Sequence, residues 1–517
     1  MPAHSRLQKH LSTSLLALGL CGPLAACAVP DVDTSIEQAA ARGSTTPQIE
    51  GASGPLSIEQ SRAVLAKVGA DSGNGSGAKI LERHLAIEEA VAGSPLTADN
   101  TVTVLEDGAA TFRAMGAAIR GARHTLNLEY YTIEDVTLDG KETLSELLVQ
   151  KRREGVAVNI IYDSYGSSDT PTAFFNGLKQ AGVNLLDFHP IDPNPANAIN
   201  INDRDHRKIL VADGEIAILG GVNMSKSYQS KAPGSGSGSA KSGAATAGDQ
   251  ATADKKATDQ KATEKKTANQ KAGGGLGAAI GLTTQLPDQW RDTAVRIEGP
   301  AVAEAQRLFV DHWKAEKGPK LDETGFFPKL AARDSQVVRI VGSTPGQNIS
   351  RYYVTVVSAL RNAESRIWIS AAYFVPTQAE MDALTEAARR GVDVRLLLPD
   401  KSDSQQAIAA AQSHYLDLLE AGVKIYETRN VVLHSKTVVI DGVWSAIGSS
   451  NFDHRSVLFN DEVDAIILGK DTADALERIF QDGMKIAVAI DREKWNDSRP
   501  FTERARGFFA RVWQSML

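Results

Sequence analysis

The sequence predicts an α/β protein built of two repeated α-β-α layered halves that pair as a pseudo-twofold dimer within one chain. Three observations lead there. A helix-then-strand phrase, Ala117-Ala118-Ile119-Arg120-Gly121-Ala122 followed by Thr125 to Tyr131, recurs as Ser358-Ala359-Leu360-Arg361-Asn362-Ala363 followed by Arg366 to Phe374. The candidate strands are nearly continuous apolar runs, as strands covered on both faces should be. Both copies of the repeat end in the same spaced set of histidine, lysine, aspartate and asparagine.

In chain order, residues 1–27 read as an export signal: Arg6 and Lys9, an apolar run from Leu11 to Leu20, then Leu24-Ala25-Ala26-Cys27. The run is shorter than the ~20 residues a membrane span needs. Its last four residues resemble the lipobox of bacterial lipoproteins, in which Cys27 becomes the diacylated first residue; plain secretion is the alternative. Two acyl chains would anchor the chain stably to a membrane surface. Ala28 in place of Asp favours the outer over the inner membrane, in a bacterial envelope and facing the periplasm. The only cysteines are Cys21 and Cys27, so cleavage leaves no pair for a disulfide and excludes thiol catalysis and a cysteine zinc site.

Residues 28–77, rich in Ser, Gly, Thr and Pro, are expected to form a flexible tether with one short helix at Ile58 to Val68. The first half spans 78–228. A low-complexity insert of Gly-Ser and Ala-Thr-Lys repeats follows at 229–277; without bulky apolar residues it is expected to be disordered. Residues 278–325 complete the first half and connect it to the second, 326–490. The tail, 491–517, carries Arg504, Arg506, Phe508, Phe509, Arg511 and Trp513, a pattern for a helix lying on lipid or packed on the domain. Within the halves, Gly155 and Gly182 in the first and Gly391 and Gly422 in the second follow helical stretches and precede apolar strands. These are expected left-handed helix ends. A net charge of -7 argues against a nucleic-acid partner, because phosphate-backbone affinity needs clustered Lys and Arg.

The chemistry sits at His206-x-Lys208-x4-Asp213 with Asn223, and at His434-x-Lys436-x4-Asp441 with Ser449 and Asn451. Residues two apart share one face of a strand, so each His and Lys should point into the same cleft. Each strand then ends at an Asp-Gly turn and pairs back as a hairpin. On the shared axis, one imidazole can attack phosphorus while the other protonates the leaving alkoxide. The lysines and asparagines would hold the non-bridging oxygens. Neither set suits a metal, and no cofactor is expected.

These paired motifs resemble those of the phospholipase D superfamily, and the nearest match is bacterial cardiolipin synthases. The resemblance rests also on Leu81-Glu82-Arg83-His84, Leu128-Glu129-Tyr130-Tyr131, Trp290-Arg291-Asp292, Tyr373-Phe374-Val375-Pro376 and Gly448-Ser449-Ser450-Asn451-Phe452-Asp453. It implies a phosphatidyltransferase acting on a phospholipid such as phosphatidylglycerol, with a phosphohistidine at His206 and His434 as acid and then base, although the residues alone do not fix which histidine is which. It implies orienting roles for Asp213 and Asp441, phosphate contact from Ser449, and support of a histidine by Glu462. It also implies a monomer whose dimer is internal. The lipobox and the insert depart from typical members, which begin with membrane-spanning helices. Hydrolysis to phosphatidic acid, a nuclease, and a non-catalytic lipid-binding lipoprotein are the alternatives.

Overall fold

The computed structural model describes residues 31–41, 47–71, 76–191, 202–229, 286–287, 289–346 and 350–498. The signal with Cys27, nearly all of the 229–277 insert and the tail beyond 498 lie outside them. Among the described residues no helix is long and apolar enough to cross a membrane.

Each half is built on seven strands in the same order, and the second adds 487–489 beside 424–428. In the first, 184–188, 157–163 and 125–130 run parallel, and 208–212, 216–220, 293–298 and 96–106 continue the sheet antiparallel. The second repeats this as 424–428, 393–399, 366–371, 436–440, 444–448, 460–468 and 336–343. The sheets join where Gln336 and Val338 pair with Asn100 and Thr97. Helices Asp107–Gly121 and Leu144–Arg153 cover one sheet, and Arg351–Asn362 and Gln378–Arg389 the other. Gly155, Gly182, Gly391 and Gly422 all adopt positive φ at the expected helix ends.

The three largest apolar clusters follow from this arrangement. One lies inside each half, and the third lies between them, where Ile209, Val211, Leu219 and Val295 meet Val439, Ile447, Val463 and Ile467. Strands facing both a helix layer and this central cluster have no polar side, which is why they read as unbroken apolar runs.

The segment expected to be a tether is instead packed structure. Helices Val32–Ala41 and Ile58–Asp71 and the strand Ile49–Gly51 precede helix Ser76–Val91, and that strand adds to the sheet beside Leu96 and Thr97. Val32, Ile49 and Val68 are buried in the second half's cluster, with Ile36, Leu56, Val64 and Leu65 against it. Asp33 also pairs with Arg361. The apolar residues are too sparse to register as a core pattern, but they collect on one face that covers a neighbour.

Candidate active site

Two short strands stitch each histidine to the opposite half. Arg204–Asp205 pairs in parallel with Asn460–Asp461, and the His206 N–H donates to the Asp461 carbonyl at 2.9 Å. Symmetrically, Val432–Leu433 pairs with Trp290–Arg291, and the His434 N–H donates to the Arg291 carbonyl at 2.7 Å. The residue after each receiving dipeptide is a carboxylate. Glu462 oxygens lie 3.0 and 3.1 Å from His206 Nδ1, and Asp292 Oδ2 lies 2.7 Å from His434 Nδ1. Each half thus orients the other's imidazole.

The two carboxylates are structural equivalents, because Gly221 N–H donates to the Thr293 carbonyl as Ser449 N–H donates to that of Val463. Their different lengths explain the Gly221/Ser449 asymmetry. A Cβ at Gly221 would run into the Asp292 carboxylate, whereas the Ser449 hydroxyl donates to Glu462. The shorter acid demands glycine. The longer one leaves room for serine.

Both imidazoles line one cavity of about 840 Å³, together with Tyr131, Tyr228, Trp290, Tyr373, Asn223 and Asn451. Lys208 Nζ donates to the His206 carbonyl at 2.5 Å and lies 5.4 Å from the Tyr131 ring centre. Lys436 Nζ donates to the His434 carbonyl at 2.6 Å and is 2.9 Å from His434 Nδ1. Tyr228 Oη is also 2.9 Å from that nitrogen. Asn223 Oδ1 accepts from the Thr132 N–H, while Asn451 Oδ1 is buried with no described partner.

Burial pushes the His206 imidazole well below its usual range, and the charges of Lys208 and Lys436 push the same way. Burial and Lys436 lower His434 too, but Asp292 and Asp403 oppose them. Burial, reinforced by Lys436 and opposed by Glu462, brings Lys208 down to about 7. Lys436 is lowered by burial against the pull of Asp292 and Glu462. His206 is therefore the more strongly neutral imidazole, with Nδ1 engaged by Glu462, so Nε2 is the nitrogen left with a lone pair. His434, held by more negative charge, is the readier proton carrier.

Several expected site residues are placed elsewhere. Asp213 and Asp441 sit at the far end of the hairpins, in the left-handed region, each followed by glycine. Asp213 accepts from the N–H groups of Arg123, His124 and Thr125, and Asp441 from those of Glu364, Ser365 and Arg366. They brace the hairpin turn against the start of the neighbouring strand and do not reach the cavity, because five strand residues separate each from its lysine's end. Ser449 is fully buried and turned onto Glu462, away from the cavity lining. Glu462, expected to support a histidine, stands behind His206 in that position, buried rather than lining the cavity, and it also accepts from Ser456 and Asn460.

Asp292 and Arg207 carry no local signal in the sequence; Asp292 is visible there only through the equivalence of the strands entering 293 and 463. The buried Arg207 guanidinium donates to Glu129 at 3.2 Å, to Asp461 at 3.1 Å and to the Glu462 carbonyl at 3.2 Å, clamping the first motif to the second half. Glu129, Asp205 and His312 are metal-type ligands within 4.8 Å of one another. Arg207 and the His312 proton, which Glu129 holds up to about 9 against burial, already balance much of their charge.

A model described as the phospholipase D-like domain of cardiolipin synthase matches residues 115–232 and again 356–484, one match to each half. The cardiolipin synthase of Halalkalibacterium halodurans is 31% identical over 427 residues, covering 82% of this chain and 72% of the relative. The chain belongs to the cardiolipin synthase family. Cardiolipin synthase A of Pseudomonas fluorescens is similarly 31% identical, over 78% of this chain and 73% of its own length. Among solved structures, the phosphatidylserine synthase of Haemophilus influenzae superposes with a TM-score of 0.56 at 11% identity, covering 83% of this chain and 99% of its own, which establishes a shared fold.

Proposed function

We propose that the chain transfers the phosphatidyl group of a phospholipid such as phosphatidylglycerol to an alcohol, through a phosphohistidine on His206. In the first step His206 Nε2 forms a bond to phosphorus as the bond from phosphorus to the head-group oxygen breaks, and that oxygen takes a proton from His434. In the second, the incoming hydroxyl gives its proton to His434 and its oxygen bonds phosphorus, returning the electron pair to His206. Lys208 and Lys436 offset the charge on the non-bridging oxygens, and Asn223 and Asn451 add donors. When the alcohol is a second phosphatidylglycerol, the product is cardiolipin.

The observation that carries this reading is the single cavity lined by both imidazoles, each anchored at Nδ1 by a carboxylate from the other half. Purified protein given phosphatidylglycerol labelled in its phosphate should yield cardiolipin and free glycerol. His434→Ala should accumulate acid-labile label on His206, and His206→Ala should take up none. Phosphatidic acid as the sole product would point to water as the acceptor, and label on residue 434 would reverse the roles. Lipidation of Cys27 and residence in the cell envelope belong to the same reading; they rest on the sequence, and mass spectrometry of the mature N-terminal peptide checks them.

A further inference from the structure

The cavity's two ends differ although the fold repeats. Strands 157–163 and 393–399 are equivalent in the two sheets, and the loop after each reaches the cavity. After the first come Tyr165, Gly166 and the acid Asp169, with Arg204 over the Tyr165 ring and Arg455 in the same lining. After the second comes Asp403, followed by Ser404 and Ala407. Beside His206 the wall carries Arg204 and Arg455, whereas beside His434 it carries the Asp403 carboxylate among the rings of Tyr228, Trp290 and Tyr373.

Asp403 is held rather than loose. Its Oδ1 accepts from Tyr373 Oη at 2.6 Å and from Ser402 Oγ at 2.8 Å. The Tyr373 ring in turn packs edge-on to the His434 ring, with centres 6.2 Å apart. Both bonds fall on Oδ1, so among the described residues Oδ2 carries none and the residue is open to the cavity. The His434 charge and these two bonds hold the carboxyl below its usual range against the effect of burial, so it is ionised when the histidines work. An acceptor-only group fixed at the cleft wall needs a donor from whatever binds there.

We propose that Asp403 is the head-group residue of this cleft: its carboxylate accepts a hydrogen bond from a second hydroxyl or an ammonium on the alcohol that leaves, and then on the alcohol that enters. The inference rests on the roles proposed for His206 and His434. In-line displacement puts the departing oxygen opposite the attacking nitrogen, hence at the His434 end, and the acceptor must occupy the same place in reverse. Glycerol and ethanolamine head groups carry such donors. A simple alkanol does not, and an anionic substituent at that position would meet the carboxylate.

The test uses phosphatidyl-p-nitrophenol in detergent micelles as the donor, because its leaving group has no donor for Asp403, with glycerol, ethanolamine or propan-1-ol as soluble acceptors. The wild type should favour glycerol and ethanolamine over propan-1-ol. Asp403→Asn should reduce that preference by roughly ten-fold or more, the worth of a hydrogen bond to a charged group, read as the ratio of products formed from mixed acceptors in one reaction, so that any change in rate through His434, which Asp403 also faces, cancels. An unchanged preference overturns the proposal. If Asp403→Asn also stops p-nitrophenol release, Asp403→Glu decides, since it keeps the carboxylate: release with the preference retained supports the proposal, and release with it lost overturns it. Wild-type protein that releases no p-nitrophenol, or carries no label at His206, defeats the underlying mechanism instead.

Discussion

Lys208 shows how strongly the site depends on its substrate. Its ammonium is buried beside Lys436, and burial brings its pKa down to about 7, so the empty site holds this proton weakly. Because the folded state disfavours the charged form, the penalty on stability is complete below about pH 7 and relaxes as pH rises toward the unfolded value of 10.5. An anion in the cleft reverses the balance by favouring protonated Lys208 and His206. Binding of inorganic phosphate at pH 8 should therefore take up close to one proton. Titration calorimetry in two buffers of different ionisation enthalpy reads this as a difference in apparent heat, and the difference should shrink below pH 6, where the lysine is already charged. Equal heats at pH 8 would mean that the ammonium is charged beforehand. At this scale the sequence is legible where chemistry is local. His206 with Lys208, and His434 with Lys436, follow from strand period and exact repetition. Asp292 is not legible in this way, because it lies 142 positions from the histidine it holds and reaches it only through a strand pairing between halves. Asp213 and Asp441 keep the orienting role expected of them, but from the hairpin's remote end, where their carboxylates accept from backbone N–H groups and do not enter the cavity.

Elements, rather than single residues, decide which parts of the chain are core. The helix Ser76–Val91 lies against Arg351–Asn362, and its Glu88 is fully buried. Glu88 meets Arg339 Nε at 2.9 Å, His84 Nε2 at 3.0 Å and Trp444 Nε1 at 3.1 Å. Burial raises the carboxyl, but the bond from His84 and the Arg339 charge outweigh it and leave it below the usual range. Removing it leaves the buried guanidinium with only the part-exposed Glu89 as counter-charge and takes the acceptor from His84 and Trp444, so Glu88→Ala should cost about 3 kcal/mol in denaturant unfolding. Lys79→Ala, which removes an exposed contact with Glu364, should change stability by about 0.5 kcal/mol or less. A loss below about 1 kcal/mol for Glu88→Ala would show that the N-terminal helices are not integral to the second half. Hairpins and helix ends were readable in the sequence because Asp-Gly turns and left-handed glycines act through their immediate neighbours. The packing of 31–71 was not, because helices with few apolar residues acquire a core only from the surface they cover.

For the whole molecule, the order of the chain and the order in space disagree. Val32, Ile49, Val68, Ile80 and Leu85 come before every strand of the first half's sheet but pack into the second half's cluster, and the strand Leu96–Glu106 bonds to 293–298 of its own half and to 336–343 of the other. The central cluster draws side chains from both sheets, and the catalytic cleft draws one imidazole and one opposing carboxylate from each. Two halves bound in these ways should not need the covalent link between them. Residues 331–335 are exposed, lie outside any helix or strand and join the halves. A protease site placed there and cut after folding should leave one species on size exclusion, one cooperative melting transition and undiminished phosphatidyl transfer. Denaturing electrophoresis would still show two fragments. Separation of the fragments on the column, or loss of transfer without separation, would contradict a single body held by a shared core, since the cut removes no side chain from either the cluster or the cleft.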